Sequence, residues 1–345
     1  MQKRKVLYIV NSYPQLSQTY IKVELDAIYE DYEVEIISLK QPSTFYKDHF
    51  PFKTAKTFEE LLSIASEFNP DVIHTHWLNH HLKKVFRVSK KLNTPFTVRS
   101  HSFDLLWPKA PWYKKFTNHW IPPNKRKLIK IINHPLCKGM LIFPFLVEQM
   151  KKAGIPEQKL IPCGPVFAHH LFDQQTNNGD KIVNVGASIP KKRFEDFIEL
   201  ATKVPERDFH LYSIGFLSNK YKQMNIDAGT PLTVIDPIEH KDFAKRITNY
   251  KWMVYTADPV TATVGWPLTL LEAQAAGVGV CMRNIRPDLK DYLGGGAILY
   301  DSIEELVDIV KKPVPEEMRL NGYKNAAKYD IKKHIYLLTE IWDRC

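Results

Sequence analysis

The feature that most constrains the fold is a regular alternation of short apolar segments with longer amphipathic ones along the 345 residues of the chain. The first apolar segment, Lys5–Val10, predicts a buried strand. The next segment, Ser17–Tyr29, repeats apolar residues at helical spacing and predicts a helix. Strands that alternate with helices in this way favour a parallel sheet with helices on both faces. The sequence therefore predicts the α/β class.

The alternation is interrupted once, over residues 161–179, by a segment rich in proline, glycine and polar residues, as linkers are. It resumes with a predicted strand at Lys181–Val185 and a predicted helix at Phe194–Lys203. The chain is also longer than one hydrophobic core usually supports. We therefore predict two Rossmann-like domains that face a cleft. The first covers residues 1–165, followed by a linker at 166–179, a second domain at 180–330, and a C-terminal segment at 331–345.

Composition and hydrophobic runs exclude several classes of protein. Hydrophobic residues make up 44% and charged residues 25% of the chain, which excludes a disordered chain and fits an ordinary globular one. No apolar run approaches the roughly 20 residues that a membrane-spanning helix needs, and the run Val6–Val10 is too short for a signal peptide. The four cysteines (Cys137, Cys163, Cys281 and Cys345) are scattered, without a CxxC pair. We therefore predict a reduced, cytoplasmic protein without a structural metal.

The chain carries a formal net charge of +10, and basic residues are concentrated in one segment, Lys109–Lys130. Trp112, Tyr113 and Trp120 are interleaved with the cations of that segment. Cations mixed with aromatic side chains suit the surface of an anionic membrane, which predicts peripheral binding at the inner face of a membrane. A solvated basic face with its aromatic residues turned inward is the alternative. No nucleic-acid-binding motif accompanies the charge, so no nucleic-acid partner is predicted.

One carboxylate in the second half lies in an otherwise apolar stretch, Gly265–Val280. Pro267 suits the start of a helix, where its missing N–H group is not needed, and Gly277 suits the end of that helix. Glu272 is the single charged residue of the stretch. A carboxylate in apolar surroundings needs a partner. Two partners remain open: a pair of hydroxyls on a ligand, or a salt bridge at the surface of the helix.

Residues that follow predicted strands are candidate site residues, because open parallel sheets bind ligands beyond the carboxyl ends of their strands. After the first strand, a polar loop runs from Asn11 to Thr19 into a helix N-terminus, which favours an anion. In the alternative, Ser17 is a plain helix cap. His74 and His76 lie at the end of the third predicted strand, and the sequence offers no third metal ligand near them. No metal is therefore predicted.

Two further sets of residues follow predicted strands. His101 lies in Ser100–Asp104, where it can donate to a phosphate or sugar oxygen or simply be a satisfied histidine. Lys191, Lys192 and Arg193 open a helix in the second half, where positive charge opposes the helix dipole. A bound polyanion explains these cations better than helix stability does. A solvated cluster of cations is the alternative.

The order and spacing of several motifs resemble one family over nearly the whole chain. The motifs are YPQLSQTYI, DVIHTHW, SHSFD, VGASIPKKRFEDFIELA, GWPLTLLEAQAAGVGV and DYLGGGAILY. They are similar to motifs of the retaining GT-B glycosyltransferases of the glycosyl transferases group 1 family, in the branch whose N-terminal loop reads Y-P-x-x-S-x-T-Y-I. The segment near Lys109–Asn133 has no matching motif. The resemblance implies the two-domain GT-B fold and a transferase that uses a nucleoside-diphosphate sugar. It makes 1–165 the acceptor-side domain and 180–330 the nucleotide-sugar-binding domain, with a C-terminal helix at 331–345 that packs back toward the first domain.

The resemblance also assigns roles to residues at matching positions. Glu272 matches the glutamate that usually holds the ribose hydroxyls of the donor, and Lys192 matches the lysine that usually neutralises its diphosphate. His101 matches the histidine that usually lies beside the transferred sugar, so His101 and Lys192 are the implied catalytic residues. The implied donor-binding residues are Gly186, Lys191, Lys192, Arg193, Gly265, Thr269, Leu270 and Glu272. The implied residues of the acceptor side or phosphate loop are Ser12, Tyr13, Ser17, Thr19, His76 and Asp104.

Two positions depart from the family pattern. Val264 stands where the family has the first glutamate of its E-x7-E motif, which normally contacts the transferred sugar. Ala187 stands where the family has an arginine that contacts the diphosphate. Loss of that arginine removes a bidentate phosphate donor, unless Arg193 reaches in from the next turn. The two changes imply an unusual donor sugar, or weakened or absent activity.

The activity implied by the resemblance is a retaining, metal-independent transfer of a sugar, of the hexosyltransferase type. The donor is a nucleoside-diphosphate sugar, the acceptor is a glycan or a lipid-linked glycan, and no cofactor is expected beyond this co-substrate. Val264 and Ala187 support an alternative, a GT-B-like protein that binds a nucleotide sugar or a partner transferase without catalysing transfer. Epimerisation of a sugar nucleotide and phosphorolysis are the remaining alternatives within the same fold.

Overall fold

The computed structural model describes residues 2–41, 46–79, 81–101, 104–106, 123–174 and 177–345. The chain divides into two compact units. The first comprises Met1–Gln15, Glu24–Gly164 and His334–Cys345, and the second comprises Leu16–Val23 and Pro165–Lys333. Within the described ranges each unit contains one sheet, and every pair of neighbouring strands is parallel. The predicted α/β class is confirmed.

The described residues of the first unit form a seven-stranded sheet. Its strands are β1 (Lys5–Val10), β2 (Glu33–Ser38), β3 (Lys53–Thr54), β4 (Val72–His76), β5 (Phe96–Arg99), β6 (Cys137–Ile142) and β7 (Leu160–Pro162). Their order in the sheet is β3-β2-β1-β4-β5-β6-β7. Residues Val6–Val10 of β1 are completely buried, because this strand is paired on both sides and covered on both faces.

The second unit contains a six-stranded sheet in its described part. Its strands are β8 (Lys181–Ala187), β9 (Phe209–Ile214), β10 (Thr233–Ile235), β11 (Tyr250–Tyr255), β12 (Gly279–Arg283) and β13 (Ile298–Tyr300), in the order β10-β9-β8-β11-β12-β13. Along β11, Trp252 and Val254 belong to one apolar cluster and Met253 and Tyr255 to another. Side chains alternate between the faces of a strand, so the sheet has an apolar core on each face.

Helices connect these strands. Those described are α1 (Thr19–Asp26), α2 (Phe58–Phe68), α3 (Leu82–Leu92), α4 (Pro123–Asn133), α5 (Val147–Lys152), α6 (His169–Phe172), α7 (Phe194–Lys203), α8 (Ser218–Asp227), α9 (His240–Arg246), α10 (Leu268–Ala275), α11 (Asp288–Leu293), α12 (Ile303–Lys311), α13 (Glu316–Ala326) and α14 (Tyr336–Asp343). Helix α10 begins after Pro267 and ends before Gly277, whose φ of 71° suits a glycine. The predicted start and stop of this helix are therefore confirmed.

The structure differs from the predicted elements in several places, and α11, α12 and α13 were not predicted. The helix predicted over Ser17–Tyr29 is shorter, running from Thr19 to Asp26. The predicted linker contains α6, and its Phe167 and Phe172 are completely buried, so two aromatic anchors fix a segment of linker-like composition. Strands β3, β7 and β13 were not predicted because they are only two or three residues long and lie at the edges of the sheets.

The basic segment Lys109–Lys130 falls outside the described residues as far as residue 122, and from Pro123 it forms α4. Its predicted contact with a membrane therefore stays a prediction. In the part of the chain that the structure describes, no helix is both long and apolar enough to span a membrane.

Candidate functional site

In the second unit, a lysine lies where strand β8 ends. A short 3-10 helix, Pro190–Lys192, follows the strand. The Nζ atom of Lys192 lies 3.8 Å from the centroid of the Tyr255 ring, at the end of β11. It also covers Gly186, because a β-carbon at Gly186 would come within 2.8 Å of that Nζ atom. A residue with a side chain at Gly186 would therefore displace the ammonium group.

The surroundings of Lys192 disfavour its positive charge. Removal from solvent, and secondarily the neighbouring Lys191, lower the pKa of Lys192 to about 7. No salt bridge joins Lys192 to any residue that the structure describes. The aromatic face of Tyr255 stabilises the ammonium group only partly. Lys192 is thus a cation without a protein counter-ion at the carboxyl end of a parallel sheet.

A pocket of about 490 Å³ lies beside this lysine. It is lined by Ile189, Pro190, Lys191, Arg193, Glu195, Asp258, Thr261 and Thr263. The guanidinium of Arg193 donates to Asp196, with Nη2 and Oδ1 2.7 Å apart, and so is already paired. Lys191 donates from Nζ to the carbonyl of Thr263 at 3.3 Å. Of the three cations predicted to bind an anion, Lys192 is therefore the one left without an oxygen partner among the described residues.

Glu272 is buried on α10, with 2% of its surface exposed. Its Oε1 atom accepts a hydrogen bond from Nε2 of His240, which begins α9, at 2.7 Å. One oxygen of Glu272 thus has a partner in the protein, while the other accepts no hydrogen bond from the described residues, so the ligand hydroxyls predicted for Glu272 stay a prediction. The sequence did not reveal His240 because it lies 32 residues away and follows a different strand.

The loop before α10 is held by Arg286. Its guanidinium donates to the carbonyls of Ala262 and Val264 and pairs with Asp288. Val264 is buried in an apolar cluster, so its side chain belongs to the core of the second unit. Trp266 donates to Asp288 at 2.7 Å. The predicted donor-binding residues Gly265, Thr269 and Leu270 lie in this loop and the first turn of α10, where the Leu270 amide donates to the carbonyl of Pro267 at 3.2 Å.

In the first unit, Asp104 connects the segments that follow β4 and β5. One carboxylate oxygen accepts from the backbone N–H of Leu78 at 2.7 Å, and the other accepts from that of His101 at 3.0 Å. Burial raises the pKa of Asp104 to about 6, although the backbone hydrogen bonds oppose this shift. Trp77, between β4 and Leu78, has a φ of 67°, an uncommon conformation for a residue other than glycine. Asp104 thus links the backbone after β4, at Leu78, to the backbone after β5, at His101.

His101 is linked to a buried carboxylate through His76. The Nδ1 atom of His76 and the Nε2 atom of His101 are 2.9 Å apart. Glu24 lies in the last turn of α1. Its Oε1 atom is 3.3 Å from Nε2 of His76 and 3.1 Å from Nε2 of His74. Arg99 donates to the other oxygen of Glu24 at 2.7 Å. The sequence analysis missed Glu24, although a carboxylate at helical spacing from Ile21 and Ile28 was the available signal.

These contacts set the charges of the cluster. Burial alone would raise the pKa of Glu24, but Arg99 and the two imidazoles hold it well below its usual range. Burial lowers the pKa of His74 to about 4 and also lowers that of His76. Burial, and secondarily the neighbouring His76, hold the pKa of His101 well below its usual range. Glu24 and Arg99 are therefore charged at neutral pH, and the three imidazoles are neutral.

Glu24, His74 and His76 also have the spacing of a metal site, since one ligand atom from each lies within 4.8 Å of the others. Glu24 thus supplies the third ligand that the sequence did not reveal. However, Arg99 occupies one of its oxygens and the Tyr8 hydroxyl donates to the other at 2.9 Å. A divalent cation here would lie beside a buried guanidinium, so an ion-pair network accounts for the cluster better than a metal does.

The predicted N-terminal loop contains both buried and accessible residues. Ser12 and Tyr13 are buried, and Tyr13 packs edge-on against Tyr46 and Phe52. The Tyr13 hydroxyl accepts from the backbone N–H of Phe50 at 3.1 Å, and burial raises its pKa to about 12. Tyr13 is thus part of the packing. Ser17 is exposed and Thr19 is half-buried at the start of α1, so these two remain accessible candidates.

No family model matches the chain, and no curated protein matches it. Solved structures do. HepE of Anabaena, in a complex with UDP and glucose, superposes with a TM-score of 0.77 at 12% identity over 100% of both chains. Sucrose-phosphate synthase from Thermosynechococcus elongatus matches with a TM-score of 0.73 at 13% identity, over 99% of each chain. The galactosyltransferase WaaB, of the lipopolysaccharide outer core, matches with a TM-score of 0.62 at 13% identity, over 99% of each chain. These likenesses, with parallel sheets of seven and six strands in the described residues, show that the chain has the GT-B fold of glycosyltransferases.

Proposed function

We propose that the protein is a glycosyltransferase that moves a sugar from a nucleoside-diphosphate sugar to a glycan or lipid-linked glycan. The observation that carries this proposal is Lys192, a cation beyond the carboxyl end of β8 that has no counter-ion among the described residues. A diphosphate is the ligand that would supply the missing negative charge. Two neighbours with this fold, HepE and sucrose-phosphate synthase, agree with the proposal, since HepE has been captured with UDP and with UDP-glucose.

In the proposed mechanism, Lys192 stabilises the diphosphate as it leaves the sugar. Negative charge builds on the leaving oxygen when the glycosidic bond breaks, and a positioned cation lowers the energy of that state. Binding of the diphosphate also restores the charge of Lys192, whose pKa burial has lowered to about 7. Because the lysine supplies this charge, the proposed reaction needs no metal. Gly186 leaves the space that the ammonium group occupies.

Other groups would hold the two ends of the donor. We assign Glu272 to the ribose hydroxyls, since one of its oxygens takes a hydrogen bond from His240 and the other takes none from the described residues. For the first unit, we assign His101 to contact with the transferred sugar. The transfer is proposed to retain the anomeric configuration, with the acceptor hydroxyl approaching on the face from which the diphosphate departs. The acceptor oxygen then forms the new bond to the sugar carbon, and its proton passes to a diphosphate oxygen.

The nature of the sugar and of the acceptor is proposed from other residues. A hexose is the proposed sugar, and burial of Val264 leaves the family's sugar-contacting carboxylate without a replacement at that position. A membrane-associated acceptor is proposed from the basic and aromatic residues of Lys109–Lys130. Sedimentation with anionic liposomes at low salt tests this part. Protein that stays in the supernatant at every lipid concentration would argue against it.

The function itself is tested by thermal shift and by donor hydrolysis. Nucleoside diphosphates and nucleoside-diphosphate sugars, each at about 1 mM, should raise the melting temperature of the protein. A ligand that binds the folded state stabilises it by mass action. Nucleosides and inorganic phosphate serve as controls. Slow release of sugar to water from the stabilising donor would identify a transferase. Stabilisation without any release or transfer would instead identify the non-catalytic binder that Val264 and Ala187 suggest.

A further inference from the structure

An arginine of the second unit holds the loop that joins β11 to α10, residues 256–267, here named the β11–α10 loop. Nη1 of Arg286 donates to the carbonyl of Ala262 at 2.9 Å and also to that of Val264. Ala262 has a φ of 47°, a conformation that is unfavourable for a residue with a side chain and persists only where its surroundings fix it. Arg286 is one of the groups that fix it.

The guanidinium of Arg286 is itself oriented by a carboxylate. Its Nε atom donates to Oδ1 of Asp288 at 2.9 Å and its Nη2 atom to Oδ2 at 3.1 Å, which makes the pair bidentate. Trp266, within the loop, donates from Nε1 to the same Oδ2 atom at 2.7 Å. The ring of Trp266 stacks on that of Tyr292, with centroids 4.7 Å apart. Arg286 and Asp288 therefore hold the loop through its backbone and through one of its side chains.

Other carbonyls of the loop are held in the same way, and its N–H groups are not. Lys191 donates to the carbonyl of Thr263 at 3.3 Å, and the Tyr292 hydroxyl donates to that of Pro267 at 2.8 Å. With the two that Arg286 holds, four carbonyls between residues 262 and 267 accept from side chains. Within the described ranges, no acceptor is bonded by the backbone N–H groups of Thr263, Val264, Gly265, Leu268 or Thr269.

We propose that Arg286 is a positioning residue that holds the β11–α10 loop with its carbonyls engaged and its N–H groups available to the diphosphate of the donor. This inference rests on the proposed function. Successive backbone N–H groups bind an anion, whereas a carbonyl turned toward the anion would repel it. Because Arg286 engages the carbonyls before a ligand binds, the loop need not reorganise on binding.

The rival explanation is that these contacts serve stability alone. Arg207→Gln is the matched control, because Arg207 lies in the same unit and also donates to a backbone carbonyl, that of Lys311, at 2.8 Å. Arg207 precedes β9, so it lies at the edge of the parallel sheet opposite to the one where β11 ends. A role in stability alone predicts similar effects of the two substitutions on the loop. A positioning role predicts an effect of Arg286→Gln only.

Hydrogen exchange of the full chain, measured by mass spectrometry on peptides that cover residues 256–270, tests the positioning without a ligand. Glutamine has one amide group and cannot hold two carbonyls and Asp288 together. In Arg286→Gln we therefore expect these amides to exchange at least about tenfold faster. In Arg207→Gln their exchange should stay within about twofold of that in the unsubstituted chain. Unchanged exchange in Arg286→Gln, or equal acceleration in both variants, would overturn the inference.

Calorimetry tests the consequence for the diphosphate. UDP and inorganic pyrophosphate are the probes, and uridine, which has no phosphate, is the control ligand. In Arg286→Gln we expect the affinity for both probes to fall about 10–100-fold, which corresponds to the loss of one hydrogen bond to a charged group. The affinity for uridine should change by less than about twofold. An equal loss of affinity for uridine would indicate general destabilisation of the unit and would overturn the inference.

The same measurements separate failure of the inference from failure of the proposed function. Absence of binding of nucleoside diphosphates and pyrophosphate to the unsubstituted chain counts against the proposed function, whereas binding that Arg286→Gln does not weaken overturns the inference alone. If Arg286→Gln does not fold, Arg286→Lys decides the question. Lysine keeps the positive charge beside Asp288, but its ammonium group cannot reproduce the bidentate pair and hold both carbonyls. We expect faster exchange of the loop in Arg286→Lys as well, and unchanged exchange there would overturn the inference.

Discussion

The two units bury their charges in opposite ways. In the first, Glu24 and Arg99 form an ion pair at 2.7 Å, so each buried charge faces its counter-charge. In the second, Lys192 has no carboxylate partner among the described residues, and Glu272 has a histidine, His240, in place of a cation with a permanent charge. In the first arrangement the two charges compensate each other within the unit. The second leaves one positive and one negative group to be satisfied from outside.

This difference separates residues that maintain the fold from residues that we propose bind a ligand. Burial of a charge without a partner is unfavourable, so a chain keeps such a group where a ligand supplies the partner. Burial alone therefore does not identify a binding residue, because Glu24 and Glu272 are both buried. The number and charge of their protein partners distinguish them. Substitutions at the two carboxylates should accordingly affect different properties.

Glu24→Ala is expected to have the largest effect, and on stability. It leaves the guanidinium of Arg99 buried without its counter-charge, which typically lowers the free energy of unfolding by about 3–5 kcal/mol. Hydrogen exchange of the β4 amides measures this loss within the first unit. Tyr8→Phe, which removes a neutral hydrogen bond to the same carboxylate, should lower stability by only about 1 kcal/mol. Similar losses of stability in both variants would show that the Glu24–Arg99 ion pair contributes no more than a neutral hydrogen bond does.

Lys192→Met is expected to act on catalysis and to spare the fold. The methionine keeps an apolar chain against Tyr255 but removes the cation, and loss of one group that stabilises developing charge typically lowers turnover about 10²–10³-fold. Lys181→Met is the matched control. Lys181 is the first residue of β8, at the opposite end of that strand from Lys192, and its ammonium group pairs with Asp208. Turnover should be unchanged in the control. A rate for Lys192→Met close to that of the control would remove Lys192 from the site.

Glu272→Gln is expected to have a smaller effect, on donor binding. The amide oxygen still accepts from His240, so the melting temperature should stay close to that of the unsubstituted chain. Hydrogen bonds to a charged group are worth about 1.5–3 kcal/mol, so loss of the charge should weaken nucleoside-diphosphate binding roughly 10–100-fold and turnover at least tenfold. Calorimetry measures the affinity. Unchanged affinity with lowered stability would make Glu272 a residue of the fold, like Glu24.

The sequence predicted most of the elements because apolar periodicity reflects burial on a strand or a helix. It identified Glu272 by the same reasoning, as a carboxylate within an apolar stretch. It did not identify Glu24, although this residue is buried, because Lys22 and Asp26 beside it give α1 the mixed composition of a surface helix. His240 and Arg99 were missed as partners for another reason. Contacts between residues far apart in the chain depend on the packing of several elements and leave no pattern in a single sequence.

The pH dependence of donor binding should distinguish the uncompensated cation Lys192 from a compensated one such as Arg99. Because the pKa of Lys192 is lowered to about 7, the ammonium form that binds a diphosphate is depleted as the pH rises above 7. The diphosphate of a nucleotide sugar keeps its charge in this range, so the dissociation constant should rise by up to about tenfold per pH unit above 7. In Lys192→Arg the guanidinium stays protonated, so the curve should be flat even if overall affinity is lower. The same slope in both proteins would assign the titration to another group, and a flat curve in the unsubstituted protein would mean that Lys192 does not contact the diphosphate.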